Sequence, residues 1–115
     1  MNKALTDRVR VSHILDAIGE VENYLMGISY EDFLANSEKR FATIKQIEII
    51  GEACNRISKV FKNKHSEIQW KSINGFRNIS IHEYFGIDNH IVWEIAQNDL
   101  TVLKEQFSKA GNESH

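Results

Sequence analysis

The chain has 115 residues, 42% of them hydrophobic and 26% charged, which is the composition of a soluble globular protein with one core. We expect a single domain over residues 1–115, with a frayed tail at about 109–115. No apolar run reaches the length of a membrane span, and the first residues lack the apolar stretch of a signal peptide. A single cysteine excludes an internal disulfide, so we expect a cytoplasmic protein.

The net charge of −2 is distributed unevenly along the chain. Residues 39–77 hold nine of the 14 basic residues and three of the 16 acidic ones, a net charge of +6, whereas the remainder carries −8. A local positive field favours a polyanionic partner. Helix surfaces are also commonly charged and solvated, which accounts for the asymmetry equally well.

Apolar residues recur at the three- and four-residue spacing of helices through the first half of the chain. The spacing predicts a first helix over residues 7–26, ended by Gly27 in a left-handed cap. The sequence Ser-Tyr-Glu-Asp at 29–32 is typical of a helix start, so a short helix carrying Phe33 is predicted next. A second long helix, capped by Ser37, is predicted from Glu38 to about Lys62.

The second half continues the helical pattern around a polar turn at 62–67. Ser66 and Gln69 have the spacing of a capping box, which predicts a third helical region that Gly75 weakens or bends. Asp88 is predicted to cap a last helix, whose apolar residues are Trp93, Ala96, Leu100, Leu103 and Phe107. No strand pair is indicated, and proline is absent. The sequence therefore predicts an all-α antiparallel bundle of about four to five helices.

Four polar or reactive side chains outside the motif below are given structural interpretations. Cys54 lies on an apolar stripe and is predicted to be packed rather than reactive. His65, in the polar turn, is predicted to be solvated, and His90 with Glu94 to form a pair on a helix face. The sequence contains no Cys/His zinc spacing and no Walker loop.

The stretch 77–84, RNISIHEY, contains three side chains that could act in catalysis or ligand binding. Arg77 is a planar cation suited to phosphate, His82 transfers protons near neutral pH, and Tyr84 supplies a phenolic hydroxyl. The structural interpretation is that Arg77 and His82 form helix-end or salt-bridge contacts near Glu83, while Tyr84 is core. The residue chemistry alone favours the structural interpretation.

Helical geometry relates the members of this stretch to one another. If 77–84 were one helix, Tyr84 would lie within about 20° of Arg77, whereas Arg77 and His82 would be about 140° apart. Asn78 and His82, four residues apart, would stack. One chain then does not easily direct Arg77 and His82 at the same phosphate, but two chains related by a twofold axis bring equivalent segments together.

The string RNISIHEYFGID at 77–88 resembles the signature of the HEPN-domain toxins of the HepT type, in which an Arg, four residues, a His, one residue and a Tyr form the motif. The segment IGEACNR at 50–56 resembles the Gly-Glu-Ala segment of that family, and VWEI with NDL within 92–100 resembles its last helix. The resemblance covers roughly residues 11–107. One departure is Gln69, where relatives often have proline before the tryptophan.

The resemblance implies a HEPN-like helical fold and a prokaryotic toxin that acts as a metal-independent endoribonuclease and as a homodimer. It implies catalytic roles for Arg77, Asn78 and His82, and it implies that Tyr84 is adenylylated by a nucleotidyltransferase antitoxin of the MntA type. No cofactor, no metal and no membrane are implied.

The chemistry of RNA agrees with this implication. A base such as His82 can deprotonate the 2′-hydroxyl, whose oxygen attacks the adjacent phosphorus and leaves a 2′,3′-cyclic phosphate. Arg77 would stabilise charge on the phosphoryl oxygens, and Asn78 would orient the imidazole or bind a phosphate oxygen. The alternative is a non-catalytic helical module that binds a nucleotide or a protein and uses the motif only to dock a phosphate.

Overall fold

A computed structural model describes residues 3–79 and 89–113, and the side chains of residues 6–79 and 89–111, as an all-α bundle. Its helices are α1 (Lys3–Leu25), α2 (Tyr30–Ala35), α3 (Ser37–Arg56), α4 (Lys59–Lys64), α5 (Trp70–Asn74), α6 (Asn89–Glu94) and α7 (Leu100–Glu113). A 3-10 turn (Gly75–Asn78) follows α5, and a π-helical segment (Ile95–Asp99) joins α6 to α7. Neither described range contains a strand, which confirms the predicted fold class.

The core lies between α1 and α3, with α7 packed against α1 and the 3-10 turn packed against α3. The predicted apolar stripes face this core, since Ile14 and Ile18 of α1, Ile47 of α3 and Phe107 of α7 are at most 1% exposed. Burying one such side chain contributes roughly 1.5–3 kcal/mol. The packing against α1 therefore holds α3 in place, and α3 in turn contacts the 3-10 turn.

The first two helix boundaries follow the predicted local rules. Gly27 has a φ of 74°, the left-handed conformation predicted for the end of α1. Ser29 and Asp32 form a reciprocal capping box at the start of α2, with both hydrogen bonds 3.1 Å long. At α3 the cap is Asn36 rather than the predicted Ser37, because the Asn36 side chain accepts from the Lys39 N–H at 3.0 Å.

The single long helix predicted from Glu38 to about Lys62 is wrong, because the chain breaks at Ile57 and restarts as α4. Ser58 caps the new helix by accepting from the Phe61 N–H. Asp7 of α1 accepts from the Ser58 N–H at 2.9 Å and from its hydroxyl at 2.6 Å. This contact spans 51 residues of sequence, so apolar periodicity could not reveal the break.

The turn after α4 is organised by packing rather than by the predicted capping box. Gln69 precedes α5 and makes no side-chain capping bond. His65, predicted to be solvated, is instead buried against Phe61, with the two ring centroids 4.4 Å apart. Its carbonyl accepts from the Trp70 indole N–H at 3.0 Å, which fixes the first residue of α5. The turn therefore buries a histidine to position a tryptophan.

The last helical region is interrupted by the π-helical segment, a feature that the predicted continuous helix did not include. Trp93 packs on the buried ring of Phe33 at a centroid distance of 5.2 Å. Beyond the interruption α7 continues to Glu113, past the start of the tail predicted to fray, and Ala110 is buried. The cap predicted at Asp88 lies outside the described residues.

Within the ranges 3–79 and 89–113, no helix combines the length and the apolar character that a membrane crossing requires.

The Asp7–Ser58 contact generates the first prediction. Asp7→Ala should lower the free energy of unfolding by about 1–3 kcal/mol, because it leaves the capping serine without its buried acceptor. Asp16→Ala, on the exposed face of the same helix, is the matched control and should change stability by less than about 0.5 kcal/mol. Urea unfolding followed by circular dichroism measures both. Equal stability of the two variants would contradict the assigned role of Asp7.

Candidate functional site

Arg77 lies on the 3-10 turn, which packs directly against α3 at Gly51. A Cβ atom at Gly51 would lie 2.7 Å from the Arg77 backbone nitrogen, 2.9 Å from Arg77 Cγ and 3.0 Å from the Phe76 carbonyl carbon. Such separations are too short for non-bonded atoms, so any side chain at position 51 would push the turn away. Glycine is therefore required here for close approach and not for an unusual φ angle.

The apolar residues of this segment anchor the turn in the core. Ile73, Phe76 and Ile79 are buried and three residues apart, which matches the three residues per turn of a 3-10 helix. The same spacing directs Arg77 and Asn78 away from the core, so that Asn78 is exposed and the Arg77 side chain is 36% exposed. A partly exposed arginine therefore stands on a firmly packed turn.

Glu52, next to the critical glycine, orients the Arg77 guanidinium. Arg77 Nε donates to Glu52 Oε1 at 2.8 Å, and Arg56 Nε lies 3.9 Å from Glu52 Oε2. Arg77 and Glu52 are both partly exposed, so their ion pair adds at most about 1 kcal/mol to stability. Its main effect is geometric: the bond holds one edge of the guanidinium.

The opposite edge of the guanidinium is the one that matters for anion binding. The two terminal nitrogens of Arg77 carry four of its five N–H donors, and among the described residues they have no hydrogen-bond partner. These donors have the planar fork geometry that matches two oxygens of a phosphate. Two arginines, Arg56 and Arg77, therefore share one carboxylate at this part of the surface.

The structure tests only part of the predicted motif. Arg77 and Asn78 are adjacent on the 3-10 turn, whereas His82 and Tyr84 lie outside the described residues. How these four side chains converge therefore stays a prediction. Two site residues, Gly51 and Glu52, were missed at the sequence level. Their position in the segment IGEACNR was the available signal.

Two further polar predictions are confirmed near this face and on α6. Cys54 is buried, and that burial raises the pKa of its thiol to about 12 although the charge of Lys62 opposes the rise. The thiol is therefore neutral and packed, as predicted. His90 and Glu94 pair across one helical turn, with Nε2 and Oε1 3.6 Å apart. In the described part of the chain, no three His, Cys, Asp or Glu side chains are grouped as metal ligands.

This arrangement is that of an all-α bundle with a partly exposed arginine on a turn packed against α3. A family model described as "Ribonuclease HepT-like" matches residues 14–110. The chain belongs to this HepT-like family of HEPN domains, as its sequence resemblance indicated.

Individual relatives are similar over most of their length. A protein named "Probable ribonuclease HepT" from Thermococcus cleftensis is 40% identical over 84% of this chain and 87% of its own. Proteins from Caldanaerobacter subterraneus subsp. tengcongensis and Methanocaldococcus jannaschii, both named as candidate RNases, are each 39% identical. These alignments cover 88% and 81% of this chain, and 90% and 85% of the relatives. No solved structure gives a significant match.

The contact at Gly51 generates the second prediction. Gly51→Ala should lower the free energy of unfolding by about 1–3 kcal/mol, because the added methyl group overlaps backbone atoms of the turn. Gly19→Ala is the matched control, since it also lies inside a helix but has no atom within 4 Å of the new Cβ. It should raise stability by about 0.5–1 kcal/mol. Thermal unfolding measures both variants. If their melting temperatures shift in the same direction, the close approach of the turn to Gly51 is refuted.

Proposed function

We propose that this protein is the toxin of a prokaryotic toxin–antitoxin pair and that it cleaves RNA without a metal ion, using the motif Arg77-x4-His82-x-Tyr84. The observation that carries the proposal is the placement of Arg77, a partly exposed arginine on a turn held by Gly51, whose Nε is bound by Glu52 and whose terminal N–H donors have no partner among the described residues. Membership of the HepT-like ribonuclease family supports it independently.

The proposed reaction uses the nucleophile that RNA itself carries. A base removes the proton of the 2′-hydroxyl, the 2′-oxygen forms a bond to phosphorus, and the bond from phosphorus to the 5′-oxygen breaks. An acid returns a proton to the departing 5′-oxygen, which leaves a 2′,3′-cyclic phosphate and a 5′-hydroxyl. His82 acts as the base or the acid. DNA lacks the 2′-hydroxyl and is not cut.

Arg77 and Asn78 act on the phosphate in this scheme. The outward edge of the guanidinium donates to the phosphoryl oxygens, where negative charge accumulates in the transition state. Because Glu52 already holds Nε, the guanidinium loses little freedom when the phosphate arrives, and such preorganisation lowers the cost of binding. Asn78, exposed beside it, orients the imidazole or binds a further oxygen.

We further propose that the active form is a homodimer in which the cleft is shared. If residues 77–84 formed one α-helix, Arg77 and His82 would lie about 140° apart, and the two side chains would diverge within one chain. A twofold axis through this face brings Arg77 of one chain near His82 of its partner.

The third prediction concerns catalysis. Arg77→Ala and His82→Ala should each reduce RNA cleavage by at least about 10²-fold while helical content is unchanged. Arg56→Ala is the matched control: it removes the other cation beside Glu52 and should cost less than about tenfold. Cleavage of total RNA on denaturing gels measures all three. His82→Ala protein that cleaves at the parental rate would refute the assignment.

The same variants test the shared cleft when they are mixed. A mixed dimer of Arg77→Ala and His82→Ala chains contains one intact composite site, so part of the activity should return. If subunit exchange is verified and no cleavage activity returns, the hypothesis that one shared site is sufficient for cleavage is contradicted.

We propose that a nucleotidyltransferase antitoxin of the MntA type controls this toxin by adenylylating Tyr84. The phenolic oxygen attacks the α-phosphorus of magnesium-bound ATP, pyrophosphate departs, and the phenolic proton goes to solvent. The attached phosphodiester then competes with RNA for Arg77 and inactivates the site without a change of fold.

The fourth prediction follows from that modification. Mass spectrometry of the toxin co-expressed with its antitoxin should show one or more AMP additions on the peptide that contains Tyr84, with cleavage lost. Tyr84→Phe protein should remain unmodified. Tyr24→Phe is the control, since the Tyr24 hydroxyl accepts from Gln46 Nε2 at 3.1 Å in the helical bundle, and it should still be modified. An unmodified Tyr84 in a fully neutralised complex would leave steric blocking as the mechanism.

A further inference from the structure

A second anion-binding feature lies beside the turn that carries Arg77. A surface pocket of about 290 Å³ opens between the end of α3, α4 and α5. Its described lining consists of Cys54, Asn55, Lys62, Trp70, Lys71 and Asn74. Of the motif at 77–84, the described residues Arg77, Asn78 and Ile79 are not part of this lining.

Lys62 is positioned in this pocket by an aromatic platform. Its ammonium lies 5.7 Å from the centroid of the Trp70 ring, a cation–π distance. The Trp70 ring is itself fixed, because its indole N–H donates to the His65 carbonyl. The ring also makes T-shaped contacts with Phe61 and Phe107. A lysine ammonium that is held in one place loses less entropy when it binds a ligand.

The chemistry of the pocket selects an anion. Two lysines and two asparagines supply N–H donors, and the described lining contains no carboxylate. Neither Lys62 nor Lys71 forms a salt bridge with a described residue, in contrast to Lys104 and Lys109, which pair with Glu22 and Glu105. The buried Cys54 thiol is neutral and adds no competing charge.

The pocket is aligned with the Arg77 site along α3. Asn55 lies one helical turn beyond Gly51, the residue that contacts the Arg77 backbone, which is about 6 Å along the axis. On the opposite wall, Asn74 immediately precedes the 3-10 turn that carries Arg77. A strand whose scissile phosphate contacted Arg77 would therefore have this pocket near a neighbouring phosphate.

We propose that the pocket formed by Asn55, Lys62, Lys71 and Asn74 binds a backbone phosphodiester of single-stranded RNA next to the scissile one. This inference rests on the proposed ribonuclease function and extends it to how the substrate is held. Phosphate contacts fix the register of a strand without reading its sequence. The pocket therefore sets the direction in which RNA crosses the site and contributes affinity rather than chemistry.

The test compares two double variants with equal loss of charge. Lys62→Gln/Lys71→Gln removes the pocket cations, and Lys104→Gln/Lys109→Gln removes two cations that are paired elsewhere. Fluorescence anisotropy with a single-stranded 2′-O-methyl oligoribonucleotide measures binding at several salt concentrations, and this probe cannot be cleaved because its nucleophile is blocked. Cleavage of ordinary RNA is measured in parallel.

The pocket variant should bind about tenfold more weakly or worse at low salt, and its slope of log affinity against log salt should be smaller by about 1. The control variant should bind like the parent. Lys62→Arg/Lys71→Arg, which keeps both charges, should restore binding and exclude misfolding as the cause. In cleavage, the pocket variant should raise KM with little change in kcat, because the lost contact is remote from the reacting bonds.

Several outcomes would overturn the inference. Parental affinity and slope in the pocket variant would mean that RNA does not use this pocket, and equal weakening in both variants would indicate only general attraction. Unchanged RNA binding with loss of the antitoxin complex would assign the pocket to a protein partner. Inorganic phosphate or ATP that binds as tightly as the oligonucleotide would assign it to a free phosphate compound.

A different outcome separates the pocket from the proposed function. If the pocket variant selectively loses RNA binding but the parental protein never cleaves RNA, the ribonuclease proposal is refuted and the pocket assignment stands.

Discussion

The contact between Gly51 of α3 and the backbone of Arg77 is the constraint on which the site depends. It lets the 3-10 turn lie against the helix, and the burial of Ile73, Phe76 and Ile79 keeps it there. Without that approach, Glu52 would not reach Arg77 Nε at 2.8 Å. A backbone contact thus determines where a guanidinium points, and the ion pair with Glu52 refines an orientation that packing has already set.

A second constraint acts just beyond the C-terminal end of α3. Asp7 of α1 accepts two hydrogen bonds from Ser58, and Ser58 caps α4. The break between α3 and α4 turns the chain so that Lys62 comes over the Trp70 ring. The basic pocket therefore depends on a contact with the first helix, just as the Arg77 site depends on a contact with the middle of α3. Both features lie at positions where α3 meets another segment.

The sequence predicted the elements that local rules govern. Apolar spacing located α1 and most of α3, Gly27 marked the end of α1, and Ser29 marked the start of α2. The motif string and the segment IGEACNR led to the correct family. Sequence reasoning did not assign Gly51 to a backbone contact with Arg77.

The errors arise from contacts that local rules do not describe, and two of the three depend on partners distant in sequence. The helix predicted to run to Lys62 ends earlier because Asp7 and Ser58 meet across 51 residues. His65 was assigned to solvent because its neighbours are polar, yet it is buried beside Phe61 and its carbonyl binds Trp70. Glu52 had no local feature that marked it as a partner of Arg77, 25 residues away. Local propensity cannot encode such pairings.

The central claim is that Arg77 is a phosphate-binding residue of an RNA-cleaving site that uses the 2′-hydroxyl of its substrate. Analysis of the RNA ends produced by the purified parental protein in the presence of EDTA tests this claim most directly. The account predicts fragments with 2′,3′-cyclic phosphate and 5′-hydroxyl ends. Fragments with 3′-hydroxyl and 5′-phosphate ends would contradict it, and so would a failure of the protein to cleave RNA when EDTA is present.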